Sequence, residues 1–133
     1  MNKDLLLSTA CPPVKRNITV GNDLVFLPSF SQSLTAAFKT KVYTLNEINY
    51  CNLFNDSLLR YASTWAAKEA VYKAVKQIDK SALPFNKIEI LREEIGKRPY
   101  VVLHKVLKQA VQISLTITHD GDYAWAIAIV ELP

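Results

Sequence analysis

Apolar residues recur along this chain with two spacings, and the spacings mark out its elements. Residues Asn17 to Leu27 are rich in Ile, Val and Leu and predict a strand, interrupted at Gly21-Asn22-Asp23 and stopped by Pro28. Ser31 is placed to cap a short helix reaching about Lys39, with Leu34, Ala37 and Phe38 as its apolar stripe. Thr44 followed by Glu47 has the spacing of a capping box, which predicts a second short helix from Leu45 to Asn52. The longest helix is predicted to begin after Asp56 or Ser57 and to run to about Gln77. Its stripe is Leu58, Leu59, Ala62, Trp65, Ala66, Ala70 and Ala74, at intervals of three and four, with no Gly or Pro inside.

Beyond that helix the period shortens to two. Lys87 to Arg92 reads as a strand, Glu93 to Arg98 as a turn containing Gly96, and Pro99 to Leu103 as the returning strand. Lys105 to Ala110 suggests one or two helical turns. Val111 to Thr118 and Tyr123 to Leu132 are strands joined by His119-Asp120-Gly121-Asp122, a hairpin signal. The expected fold class is α+β: an antiparallel sheet packed with one long and several short helices.

Composition narrows the function. A chain of 133 residues fits one domain, and 50% hydrophobic against 21% charged residues is globular rather than disordered. Residues 1–16, with Cys11-Pro12-Pro13, read as an irregular N-terminal extension to a domain over 17–133. The net charge of +4 favours an anionic partner. The basic clusters (Lys15-Arg16, Lys39-Thr40-Lys41, Lys97-Arg98) are too short to form an arm, which argues against nucleic acid. Tyr123 and Trp125 alternate as a base-stacking strand would, but their alanine and isoleucine neighbours read as core. Cys11 and Cys51 offer neither a disulfide framework nor zinc-ligand spacing, and are expected to be reduced thiols. The apolar run Leu5-Leu6-Leu7 is too short for a secretion signal, and no stretch approaches the roughly 18 apolar residues of a membrane span. A cytoplasmic protein without membrane contact is expected.

Three places carry polar groups that a purely structural segment would not need. Asp23 is a carboxylate inside an apolar strand, where a turn or bulge role and metal binding both fit. Glu69 and Lys73 are four residues apart, on nearly the same helical face, where a surface ion pair and a functional pair both fit. Trp65 precedes Glu69 by four, so these charges sit at an edge of the apolar stripe. His119 ends an apolar strand, either as a solvated turn residue or as a ligand-facing one. No nucleophile–histidine arrangement and no Gly-rich phosphate loop is legible.

In this order the three places form a pattern. Gly21-Asn22-Asp23, then Trp65-Ala-Ala-Lys68-Glu69-Ala-Val-Tyr-Lys73-Ala74, then Ser114-Leu-Thr-Ile-Thr118-His119 resembles the holo-acyl-carrier-protein synthase family of 4′-phosphopantetheinyl transferases. The family signature is a G-x-D strand end, a W/F-A-x-K-E-A-x-x-K-A helix and an S-x-[ST]-H turn. The resemblance extends from about Val20 to Glu131 and includes Tyr43-Thr44 before Glu47, Lys87-Ile88-Glu89-Ile90 and Gly96-Lys97-Arg98-Pro99-Tyr100.

The resemblance implies transfer of the 4′-phosphopantetheine arm of coenzyme A to a serine of an apo acyl carrier protein, with release of 3′,5′-ADP. It implies Mg²⁺ held by Asp23 and Glu69, Lys73 at the pyrophosphate, Lys68 at a phosphate or solubilising the helix, and His119 near the coenzyme A phosphates. It also implies a homotrimer with active sites between subunits. The chain departs from the family pattern in four places. Asn22 replaces an apolar residue and Thr64 an arginine. Val75-Lys76-Gln77-Ile78-Asp79 replaces a Gly-x-Gly loop, with Lys76 as an electrostatic substitute. Pro28-Ser29-Phe30 replaces arginines that meet the carrier. The missing Gly-x-Gly loop and the absent arginines support a second reading, a catalytically weakened relative that acts as a carrier-protein binding module.

Overall fold

The computed structural model describes residues 17–133; the extension expected over 1–16, with Cys11, lies outside the described residues. Strand β1 is Ile18–Phe26, and it runs unbroken through Gly21-Asn22-Asp23 because all nine residues pair with the last strand. Two short helices follow, α1 over Leu27–Ser33 and α2 over Ala36–Val42. The single helix expected from Ser31 to Lys39 is thereby corrected. Pro28 opens α1 at its first turn, where its missing N–H costs nothing, and Thr35 caps α2 by accepting from Phe38 N. Ser31 instead donates to the Pro28 carbonyl at 2.7 Å.

Helix α3, Leu45–Cys51, opens with the expected capping box of Thr44 and Glu47. Helix α4, Ser57–Val75, is the long one. A 3₁₀ turn at Phe85–Lys87 leads into β2, Ile88–Arg92, and β3, Pro99–Leu103, which form a two-stranded antiparallel sheet. Residues 105–110 form bends, not the helical turns expected there. Strands β4, Gln112–Asp120, and β5, Tyr123–Glu131, complete a three-stranded antiparallel sheet ordered β1-β5-β4. The β4–β5 turn is tighter than expected. Gly121 takes φ of 55°, so pairing continues through His119 and Asp120, both of which lie in the strand.

Helix α4 crosses one face of this sheet, and small side chains let it seat closely. Ala124, Ala126 and Ala128 alternate along β5 beneath Ala66, Ala70 and Ala74 of the helix, and all six are fully or almost fully buried. The other flank of α4 is covered by aromatic contacts, with Trp65 centred 5.3 Å from Phe38 and 4.8 Å from Phe85. Burial therefore wraps much of the helix instead of following one stripe, and it takes in Tyr61, Ser63, Thr64 and Lys68. Cys51 is a buried free thiol pushed up to about 11 by its burial, in keeping with an inert structural role.

No described residue covers the opposite sheet face. Ile18, Val20, Leu24 and Phe26 of β1 and Tyr123, Trp125 and Ile129 of β5 are all exposed there. Of the neighbours expected as core, the alanines hold the inner face, while Ile129 lies with Tyr123 and Trp125 on the outer one, because side chains alternate along the strand. Among the described residues, no helix is long and apolar enough to cross a membrane.

Candidate functional site

The seam between β1 and α4 brings together residues some fifty positions apart in sequence. Asp23 follows Gly21 and Thr19 on the inner face of β1, and alternation directs its carboxyl toward the helix. Lys73 Nζ lies 2.8 Å from Asp23 Oδ1 and 3.0 Å from the Asn22 carbonyl oxygen. The lysine thus pairs across the seam, and among the described residues no ion pair joins it to Glu69 along the helix, the surface pairing its spacing allowed. Glu69, on the same helical face as Lys73, borders the same seam as Asp23. Partial burial of Glu69, a hydrogen bond with Asp23 and the charge of Asp23 raise the Glu69 carboxyl to about 7, with Lys73 opposing.

An open cleft of about 250 Å³ adjoins the pair, lined by Asp23, Phe26, Ser29, Phe30, Trp65 and Glu69 among others. Phe30 and Trp65 give it apolar walls, and Ser29 adds a hydroxyl. The part that α1 plays in this wall was not legible from the apolar spacing, because the stripe of Leu34, Ala37 and Phe38 pointed to a later helix start.

Two acidic side chains sharing one edge of a cleft fit a hard divalent cation such as Mg²⁺. That ion takes one or two carboxylates and completes its shell with water and phosphate oxygens. Among the described residues there is no cluster of three or more His, Cys, Asp or Glu side chains that could hold a metal by itself, so Asp23 and Glu69 would leave coordination positions open to a substrate.

The other expected site residues are placed differently. Lys68, expected at a phosphate or on the solvated face, is fully buried. Its ammonium donates to Glu47 Oε1 at 2.6 Å and to the Ile88 carbonyl oxygen. Position 68 follows Ala67 into the interior between α3 and β2, where Glu47 also accepts from Thr44 N and Ile90 N, each at 2.8 Å. Lys76 donates to the carbonyls of Lys80 and Ser81 at 3.0 and 2.8 Å, tying down the segment that follows α4. Thr64 is buried, donating to the Arg60 carbonyl, and does not line the cleft. His119 is exposed and pairs with Ala124, so it shares Asp23's sheet face. Strand β5 nevertheless separates them by two strand spacings, roughly 10 Å, and two residues along the strands, roughly 7 Å.

A sequence profile of the 4′-phosphopantetheinyl transferase superfamily matches residues 19–128, which contain the whole seam. The holo-[acyl-carrier-protein] synthase of Fusobacterium nucleatum is 33% identical over 121 residues, spanning 85% of this chain and 98% of the relative. That of Ruminiclostridium cellulolyticum is 36% identical over 124 residues, spanning 85% and 91%. The fold matches the ACPS–CoA complex of Chronobacterium ammoniagenes with a TM-score of 0.77 at 28% identity, covering 89% of this chain and 99% of that one. With profile, relatives and fold in agreement over the segment that carries Asp23, Glu69 and Lys73, this chain belongs to the 4′-phosphopantetheinyl transferase superfamily, among the holo-[acyl-carrier-protein] synthases.

Proposed function

We propose that residues 17–133 form a domain that transfers the 4′-phosphopantetheine arm of coenzyme A to a serine of an apo acyl carrier protein and releases 3′,5′-ADP. The observation that carries this reading is the meeting of Asp23, Glu69 and Lys73 at one seam beside an open cleft. In the transfer, the serine oxygen bonds to the β-phosphorus while the bond from that phosphorus to the departing 3′,5′-ADP oxygen breaks. Negative charge accumulates on the pyrophosphate oxygens, and the serine proton must leave.

Asp23 and Glu69 are the residues that would hold Mg²⁺. When bound, the ion supplies Lewis-acid neutralisation of the pyrophosphate. Lys73 brings an ammonium, half exposed to solvent, to the same edge, within reach of a phosphate oxygen. Phe30 and Trp65 narrow the water around the acceptor serine. The exposed apolar face of the β1-β5-β4 sheet supports a homotrimer, since contiguous apolar patches of this kind mark subunit contacts. Trimerisation would also let His119 of one subunit serve the Asp23 site of another. We place the protein in the cytoplasm, serving a carrier of fatty acid biosynthesis.

The deciding experiment incubates the full chain with apo carrier protein, coenzyme A and Mg²⁺ and weighs the carrier. The reading expects a gain of roughly 340 Da, the mass of the transferred arm. It fails if the Asp23→Ala/Glu69→Ala double variant transfers as fast as the unsubstituted chain. One observation favours the alternative of a carrier-binding module: Lys76 is engaged by its own loop carbonyls instead of standing free for a phosphate. That alternative expects carrier binding with no mass gain.

A further inference from the structure

At Gly21, β1 and α4 come too close for any side chain. A Cβ placed on this residue would overlap the Ala70 carbonyl oxygen and stand 2.8 Å from the Ala74 nitrogen. Both are backbone atoms of a buried helix, so neither can swing aside as the end of a long side chain could. Gly96 and Gly121 have positive φ and Gly21 does not, so glycine is needed here for space and not for an unusual conformation.

The residues around this contact are those of the candidate site. Glu69 immediately precedes Ala70, Lys73 immediately precedes Ala74, and Asp23 is the next inner-face residue of β1 after Gly21. Polar ties hold the strand to the helix on both sides of the glycine. Thr19 Oγ1 donates to the Ala74 carbonyl and Gln77 Nε2 to the Val20 carbonyl, each at 2.8 Å, while Lys73 reaches Asn22 and Asp23. The distance from strand to helix at Gly21 therefore governs how far the Asp23 carboxyl stands from that of Glu69.

We infer that Gly21 is a positioning residue: its missing side chain holds β1 against α4 at the spacing where Asp23 and Glu69 reach one divalent cation. The inference rests on the proposed metal role of that pair. Mg²⁺ and Mn²⁺ accept oxygen ligands only within a narrow shell, about 2.0–2.1 Å for Mg²⁺. A methyl group at Gly21 must open the seam by on the order of 1 Å before ordinary contact distances return. Two carboxyls anchored on opposite sides of the seam cannot both follow.

Mn²⁺ is the probe, with binding to the metal-free full chain read from the electron paramagnetic resonance signal of the free ion, well below the unfolding temperature. The unsubstituted chain is expected to bind Mn²⁺ in a way that Asp23→Ala and Glu69→Ala each abolish. Gly21→Ala is expected to weaken binding about 10- to 100-fold, the range for residues that orient ligands without touching the metal. Thr19→Val removes a strand–helix hydrogen bond without wedging the seam, and is expected to lower Tm while leaving the Mn²⁺ Kd within about twofold. Should Gly21→Ala fail to fold in plain buffer, both chains are compared in sucrose, which favours the compact state, and the same loss of affinity is expected there. A folded Gly21→Ala that binds Mn²⁺ as tightly as the unsubstituted chain, in either medium, overturns the inference. If the unsubstituted chain shows no Mn²⁺ binding that depends on Asp23 and Glu69, the metal reading itself falls and takes the inference with it.

Discussion

Lys68 Nζ lies 2.6 Å from Glu47 Oε1, and neither side chain has any solvent exposure, although the next residue, Glu69, borders an open cleft. Burial pushes the Glu47 carboxyl up and the Lys68 ammonium down, and their mutual attraction opposes both shifts. Backbone donors from Thr44 and Ile90 complete the carboxylate's partners, so the pair joins α3, α4 and β2 in one polar knot inside an apolar core.

Removing one member of that pair leaves the other buried and uncompensated. Lys68→Met is expected to lower stability by about 3–5 kcal/mol in urea denaturation. Adding Glu47→Leu should recover only part of this, because Thr44 N and Ile90 N lose their acceptor. Coenzyme A affinity measured on the folded fraction should be unchanged. A Lys68→Met protein of undiminished stability that binds coenzyme A poorly would return Lys68 to the phosphates.

Glu69 links metal binding to pH. Its carboxyl titrates at about 7 in the folded chain, so metal uptake below that pH must displace a proton. The Mn²⁺ affinity should fall about tenfold per pH unit as pH drops below 7, and an affinity that stays flat below 7 would show that Glu69 gives up no proton to the metal. The sign for stability is the reverse. A raised folded-state pKa stabilises the fold fully below the ordinary value of 4.5, and that contribution is lost as pH rises through about 7. The Tm difference between metal-free wild type and Glu69→Gln should shift across that window, and an unshifted difference would show that Glu69 titrates normally.

Lys73 sits beside the carboxylates, where an ammonium can act on developing phosphate charge. Lys73→Met should cost about 10²- to 10³-fold in kcat, with less change in the KM for coenzyme A. An effect confined to KM would make it a binding residue only.

The exposed sheet face supplies the remaining prediction. Trp125→Glu places a charge amid exposed apolar side chains, and the proposed trimer should then sediment as a monomer. Shared sites have a sharper signature. A co-assembled mixture of Glu69→Ala and His119→Ala chains, each inactive alone, should recover part of the activity. Failure to recover any would mean that both residues act within one chain.

Local rules, readable from residue order, determined much of this protein. The α4 periodicity, the Thr44–Glu47 capping box, the β2–β3 hairpin and the alternating final strands each depend on neighbours within a few positions, and all are present. The order of Gly21, Asp23, Glu69, Lys73 and His119 was legible through family resemblance, and the fold draws Asp23, Glu69 and Lys73 to one seam while β5 holds His119 apart. Depth was not legible. Lys68 and Glu69 are adjacent charged residues whose spacing cannot say which turns inward; that was decided by α3 and β2 packing on one flank of α4 and supplying Glu47 and the Ile88 carbonyl. Nor could spacing show that Tyr123 and Trp125 face outward, since alternation names two faces without saying which one the helix covers. Only the approach of α4 to the sheet, close enough to exclude a methyl group at Gly21, decided that and set Asp23 opposite Glu69.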